Sequence, residues 1–177
     1  MASRTVRQYV TFTLMGEEYA LAIHNVREII QFEPITSIPS MPPVVRGVMN
    51  LRGSVVPVID LPVKFGLPLT GLPGTYLVVV DLVWSGEAVR LGLVTPALGR
   101  VVELADEEMS AVPDFGTRIQ AEYLRGVAQV DGRFVLFLDA DRLLSAGELL
   151  RITALEASPA AQGAPPLERA GGQAGGD

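Results

Sequence analysis

Cysteine is absent from the 177-residue chain, and histidine occurs once, as His24. Without thiols there can be no disulfide, no thiolate zinc site and no cysteine nucleophile. A single imidazole excludes a multi-histidine metal centre and most acid–base chemistry built on histidine. Only one of the 14 Lys and Arg residues is a lysine, Lys64, and aromatic residues amount to 6%. Acidic residues outnumber basic ones 20 to 14, which leaves a net charge of −6 and a pI near 4.8. That balance argues against a nucleic-acid footprint, which needs an excess of cations. No stretch reaches the roughly 18 apolar residues of a membrane helix. The segment Met1–Arg7 leads into an alternating strand pattern rather than an apolar leader, so a cytoplasmic location is expected.

What is present is a large apolar share, 49%, with a mean hydropathy of +0.34. That excludes global disorder, and the length allows one domain or two small ones. Strand signals dominate. Val10, Phe12 and Leu14 alternate with Thr11 and Thr13, and after Gly16-Glu17 the pattern resumes at Tyr19, Leu21 and Ile23. Val26, Ile29 and Ile30 fit the 3.6-residue period, which predicts a short helix over 24–30. Residues 33–43, with four prolines, read as an irregular connection. A hairpin over 46–61 folds at Arg52-Gly53-Ser54. Residues 76–84 are nearly all apolar, as in a strand buried on both faces. A second hairpin over 124–138 has Asp131-Gly132 at its tip. Asp139 or Asp141 then caps a helix running through Leu150. In 157–177, Ala, Gly and Pro fill 14 of the 21 positions, which predicts a disordered tail.

The two hairpins repeat one another. RGVMNLRGSVVPVIDL at 46–61 and RGVAQVDGRFVLFLDA at 125–140 agree at six of 16 positions, including Arg46/Arg125, Gly47/Gly126, Gly53/Gly132 and Asp60/Asp139. Upstream, Gly16-Glu17 and Gly86-Glu87 match as turns. One unit of about five strands therefore occurs twice. Short antiparallel strands hide their edges best by closing, so the expected fold is all-β, two packed five-stranded β-barrels. The approximate halves are 8–66 and 75–150, with strands possibly exchanged between them.

No catalytic constellation is visible: no serine has a base arranged near it, and acidic pairs such as Glu107-Glu108 sit in a solvated run. Asp139-x-Asp141 begins like a calcium loop but lacks the later Gly and Glu, so it reads as a helix cap. Arg52, in Asn50-Leu51-Arg52-Gly53, is either a solvated turn residue or the partner of a carboxylate, and Glu28 is its natural partner. Phe115, between Pro113 and Gly116, either tucks into its own domain or stands out as an interface anchor.

The segment Val45-Arg-Gly-Val-Met-Asn-Leu-Arg-Gly-Ser-Val-Val-Pro-Val-Ile-Asp60-Leu61 resembles the signature of CheW-type adaptor domains of bacterial chemotaxis. The likeness continues through Gln8–Leu14, Glu18-Tyr19, Val26-Arg-Glu28-Ile, Lys64-Phe-Gly66, Pro113-x-Phe115, Tyr123-Leu-x-Gly126 and Asp139-x-Asp141-Arg-Leu-Leu144, covering about 8–150. The resemblance implies two five-stranded barrels of OB-like or SH3-like topology. It implies a non-enzymatic scaffold, without cofactors, that bridges chemoreceptor tips to the regulatory domain of the histidine kinase CheA in membrane-associated arrays. Glu28 and Arg52 match the family's paired positions, with Asn50 and Gly53 beside them in the turn. Val26, Arg46, Gly47 and Gly126 match positions tied to kinase binding, and Asp114 and Phe115 match a loop tied to a second contact. The receptor is implied to lie along a hydrophobic groove near Arg52. The chain departs from the family at Thr95-Pro96, where Val-Asp is usual. The alternative is an OB-like module for nucleic acid or a small ligand, which the negative charge and sparse aromatics disfavour.

Overall fold

The computed structural model describes residues 5–14, 16–31, 33–66, 76–111 and 121–156. Ten strands form two five-stranded sheets. In chain order they are β1 (Val6–Leu14), β2 (Glu17–Ala22), β3 (Val26–Gln31), β4 (Val45–Leu51), β5 (Ser54–Ile59), β6 (Tyr76–Trp84), β7 (Glu87–Thr95), β8 (Ala97–Ala105), β9 (Leu124–Val130) and β10 (Arg133–Leu138). One sheet runs β8-β1-β2-β10-β9 and the other β3-β6-β7-β5-β4. Advancing each strand of the first order by five, modulo ten, reproduces the second. The repeat read in the sequence is thus a repeat of topology, with strands exchanged reciprocally: each sheet takes two strands from one half and three from the other. The one parallel pairing in each sheet, β10 with β2 and β5 with β7, falls at the matching place.

The hairpin turns follow from their residues. Arg52 and Gly53 (φ +52° and +86°), Ser85 and Gly86 (+54° and +80°), and Asp131 and Gly132 (+51° and +80°) each place two left-handed residues between paired strands. This geometry matches the twist of the flanking strands and favours a glycine at the second position.

The expected all-β class holds. The end strands of each sheet, β3 with β4 and β8 with β9, show no ladder pairing among the described residues, so the expected barrel closure is not made by continuous hydrogen bonding. A single-residue bridge covers the free edge instead. Thr36 and Val48 exchange backbone hydrogen bonds of 2.7 and 2.8 Å, and Ser110 and Val127 exchange two of 2.9 Å.

The predicted helix over 24–30 is not formed. A 3-10 turn spans Ile23–Asn25, and β3 follows, with a register shift between Val26 and Glu28 against β6. Burial along β3 alternates as in a strand, with Val26, Glu28 and Ile30 half-buried and Val26 and Ile30 packed on core clusters, while Ile29, which supplied the helical spacing, is exposed. The helix expected from Asp139 onward is broken into two. Asp139 Oδ1 accepts from Asp141 N–H at 3.1 Å and caps a 3-10 turn over Ala140–Arg142. The α-helix itself, α2 (Ala146–Glu156), starts from Ser145. Ser145 Oγ accepts from Glu148 N–H at 3.1 Å and Glu148 Oε1 accepts from Ser145 N–H at 2.8 Å, a capping box. A short helix, α1 (Leu61–Lys64), is capped by Asp60 after the first hairpin. The tail, 157–177, lies outside the described residues.

Both faces of the central strands are apolar because both are covered. On β6, Val78, Val80 and Leu82 face a core shared by the two sheets, while Leu77 and Val79 face a second cluster belonging to their own sheet. On β2, Tyr19 and Leu21 enter the shared core, and Ala20 and Ala22 the other sheet's own cluster. The shared core also takes Leu143, Leu144, Leu149 and Ile152 from the C-terminal segment. At about 25 cal/mol per Å² of apolar area removed from water, this common core is the principal force holding the sheets together.

Candidate functional site

The first hairpin carries the candidate site on its turn. Arg52 sits in a left-handed conformation, and Asn50 Oδ1 accepts from Gly53 N–H at 2.8 Å, so the side chain of Asn50 holds the turn shut. The guanidinium then reaches across the open side of its sheet to β3. Arg52 Nη1 and Nη2 donate to Glu28 Oε1 and Oε2 at 2.7 and 2.8 Å, a bidentate pair. The alternatives left open by the sequence resolve into both: Arg52 is paired, and its side chain is still 72% exposed, against 22% for Glu28. Because β3 and β4 are the two ends of the sheet, the pair ties its first strand to its last hairpin. The Arg52 hydrogen bond, aided by the charges of Arg52, Arg27 and Arg90 and opposed by burial, holds the Glu28 carboxyl below the usual carboxylate range. The same hydrogen bond pushes the Arg52 guanidinium up.

Beside this clasp, Val26 is half-buried against the shared core at the start of β3. Arg27 Nη1 and Arg90 Nε lie 3.4 and 3.0 Å from the carboxylate oxygens of Asp81, so the neighbouring surface is a second, mixed-charge network. Val26 and Glu28 on one edge strand, and Asn50, Arg52 and Gly53 on the opposite hairpin, therefore belong to one sheet, whose two ends the clasp joins.

Arg46 and Gly47 stand farther along β4. Arg46 Nε lies 3.5 Å from Asp60 Oδ2, which links the strand to the cap of α1. Gly47 has a close neighbour within its own chain: a Cβ there would lie 2.4 Å from the carbonyl oxygen of Thr36. Gly126 repeats the arrangement on β9, where a Cβ would come within 2.5 Å of Met109 Cγ and 2.7 Å of the carbonyl oxygen of Ser110. Both glycines let a connecting segment bond to the free edge of the sheet. A side chain at position 47 therefore clashes with backbone of the same molecule before it can meet a partner. Gly126 lies in the other sheet from Gly47. Asp114 and Phe115 lie outside the described residues.

The sequence reading missed the matching clasp of the second sheet. Arg100, on β8, donates through Nη1 to Asp131 Oδ2 at the tip of the β9–β10 turn, and its Nε lies 3.6 Å from Glu18 Oε2. The Asp131 hydrogen bond pushes the Arg100 guanidinium up. The polarity is reversed, with the acid on the turn and the base on the edge strand. The repeat alignment of Arg52-Gly53 with Asp131-Gly132 was the available signal, since it places a charged turn residue opposite an edge strand twice. The reading also missed a latch at the C-terminus. Lys64 Nζ lies 2.6 Å from Glu148 Oε1, with the two side chains only 11% and 21% exposed, and it sits over the Tyr123 ring at 5.3 Å. Burial pushes the Glu148 carboxyl up, but the Lys64 hydrogen bond, with those from Ser145, outweighs it and leaves the group below its ordinary value.

Among the described residues no group of three or more His, Cys, Asp or Glu side chains could hold a metal ion. His24 is exposed on its 3-10 turn. No helix among the described residues is long and apolar enough to cross a membrane. What the surface offers is two charged clasps at pseudo-equivalent sheet ends.

The CheW-like domain model matches residues 8–148. The chain is 35% identical over 150 residues to the chemotaxis protein CheW of Klebsiella aerogenes, covering 84% of this chain and 89% of that one. It is 32% identical over 149 residues to the chemotaxis protein CheW of Treponema pallidum, covering 84% and 88%. The crystal structure of the scaffolding protein TtCheW from Thermoanaerobacter tengcongensis superposes with a TM-score of 0.71 at 28% identity, covering 81% of this chain and 91% of that one. The chain belongs to the CheW-like domain family.

Proposed function

We propose that the chain is a non-enzymatic chemotaxis adaptor that couples chemoreceptor cytoplasmic tips to the regulatory domain of the histidine kinase CheA. Its place is in receptor arrays on the cytoplasmic side of the membrane. The observation that carries this reading is the Glu28–Arg52 clasp on a chain of this family. It fixes an exposed arginine at one end of a sheet without burying it. The receptor lies against the surface around Arg52, Asn50 and Gly53. The kinase takes the neighbouring face with Val26 and Arg46, and Gly47 and Gly126 keep the sheet edges in shape for it. Asp114 and Phe115 make the second contact in the array.

The test is binding of the purified chain to a kinase regulatory domain and to a receptor tip fragment from the same source. Both are expected to bind separately and together. Arg52→Glu is expected to lose the receptor while keeping the kinase. Failure of the folded chain to bind either partner overturns the proposal.

A further inference from the structure

The hairpin repeat diverges at one position, and the divergence leaves a charge over. In the first half Arg46 has Asp60 at 3.5 Å. In the second half Asp139, the repeat mate of Asp60, has Arg142 at 3.5 Å instead. Arg142 stands where the first half has Val63. Arg125, the mate of Arg46, is exposed and has no ion pair or hydrogen bond with the described residues.

Arg125 lines an open cavity of about 300 Å³ together with Tyr9, Asp106, Met109, Ser110 and Ala111. Tyr9 is only 2% exposed, its ring packed edge-on against Phe137 at 4.7 Å between centroids. Its hydroxyl has no hydrogen-bond partner among the described residues, yet it is not among the side-chain atoms sealed from solvent. The phenol is therefore buried along its ring and open at its tip, where it meets the cavity. A buried tyrosine ordinarily finds a partner for its O–H. Asp106 adds an acid to the wall, but Arg7 Nε donates to its Oδ1 at 3.1 Å. Met109 packs against the cluster that holds Tyr9 and supplies an apolar side. The first half has no counterpart: Val79 takes the place of Tyr9 in its sheet, and Ile35 packs there as Met109 does here.

We propose that this cavity is a carboxylate-binding site. Arg125 takes the two carboxylate oxygens, and the Tyr9 hydroxyl and the Ser110 side chain donate to the oxygens that remain open. A planar guanidinium prefers a bidentate carboxylate, and a phenol hydroxyl with no partner among the described residues is free to donate to a third acceptor position. The site does not depend on the adaptor reading. The carboxylate arrives either on a small free acid or on a glutamate side chain of a docked protein.

The test is titration of the ¹⁵N-labelled chain, followed by NMR, with succinate and separately with N-acetyl-glutamate amide, against chloride at matched ionic strength. Saturable shifts are expected at the amides of Met109, Ser110 and Ala111 with at least one acid. Arg125→Gln should weaken binding at least tenfold and Tyr9→Phe about fivefold, the losses expected for a charge-assisted pair and one neutral hydrogen bond. Neither variant should disturb the rest of the spectrum. A response to succinate identifies a free acid, and a response confined to the capped glutamate identifies a protein side chain. Shifts no larger than those with chloride, or binding that survives Arg125→Gln unchanged, overturn the proposal.

Discussion

Adding one methyl group at Gly47 tests how the sheet edge is protected. In Gly47→Ala the new Cβ would stand 2.4 Å from the Thr36 carbonyl oxygen and 3.0 Å from its carbon. Both are backbone atoms, so no side-chain rotation relieves the contact. The Thr36 segment must move away, and with it go the two bridge hydrogen bonds, of 2.7 and 2.8 Å, that cover β4. Overpacking costs about 1–3 kcal/mol, and each bond about 0.5–1.5 kcal/mol. Because retreat of the segment relieves the clash as it breaks the bonds, the expected loss is about 2–4 kcal/mol, not the full sum. For a domain of this size that lowers Tm by roughly 5–15 °C. Urea unfolding followed by circular dichroism measures it. Gly53→Asn is the control, because no atom lies within 4 Å of a Cβ there and asparagine tolerates the left-handed turn; it should cost less than about 1 kcal/mol. If Gly47→Ala is as stable as Gly53→Asn, the bridge is not what holds the edge.

Other outcomes follow from the same geometry. Lys64→Met removes the partner of Glu148. The folded Glu148 titrates below its ordinary value, so the latch stabilises above the unfolded carboxylate range and is lost as pH falls through the folded pKa. Wild-type stability should therefore drop between about pH 5 and 3 by an amount that Lys64→Met lacks, about 1 kcal/mol after solvent screening. Arg52→Ala should barely move the urea midpoint, because the arginine is exposed, while the Glu28 carboxyl, followed by NMR, titrates at higher pH than in the wild type. Thr95 is buried, with Oγ1 at 3.0 Å from the carbonyl oxygens of Thr13 and Ala97. Thr95→Val should cost about 1–2 kcal/mol in urea unfolding, because those acceptors lie where the chain passes from one sheet to the other beside Pro96.

The parts of the molecule that the sequence made legible were those written in local chemistry. Arg52-Gly53, Gly86 and Asp131-Gly132 specify their turns, and the apolar run of β6 specifies a strand covered on both faces. The Glu28–Arg52 pair was legible because Glu28 is the one acid in an apolar segment and Arg52 the charged residue of an apolar hairpin's turn. β3 imitates a helical period in the sequence because Ile29, an exposed apolar residue, stands three residues after Val26. The start of α2 was signalled by Ser145-x-x-Glu148, which was passed over for the nearer Asp139. Reciprocal strand exchange, and the clasp and latch made by Arg100–Asp131 and Lys64–Glu148, depend on contacts between segments 31 and 84 residues apart. Such contacts are set by packing of the shared core and have no local signature. Arg125 is intelligible only once Arg142 is seen to occupy Asp139.

The proposed coupling of receptor state to a kinase, through surfaces fixed by the two clasped sheets, is open to direct test. Autophosphorylation of the cognate kinase, measured with receptor-containing nanodiscs in the presence and absence of the chain, tests it most directly. The account predicts that receptor control of the kinase requires the chain and that Arg52→Glu, folded and still bound to kinase, fails to restore it. Control that is unchanged without the chain, or fully restored by Arg52→Glu, would contradict it.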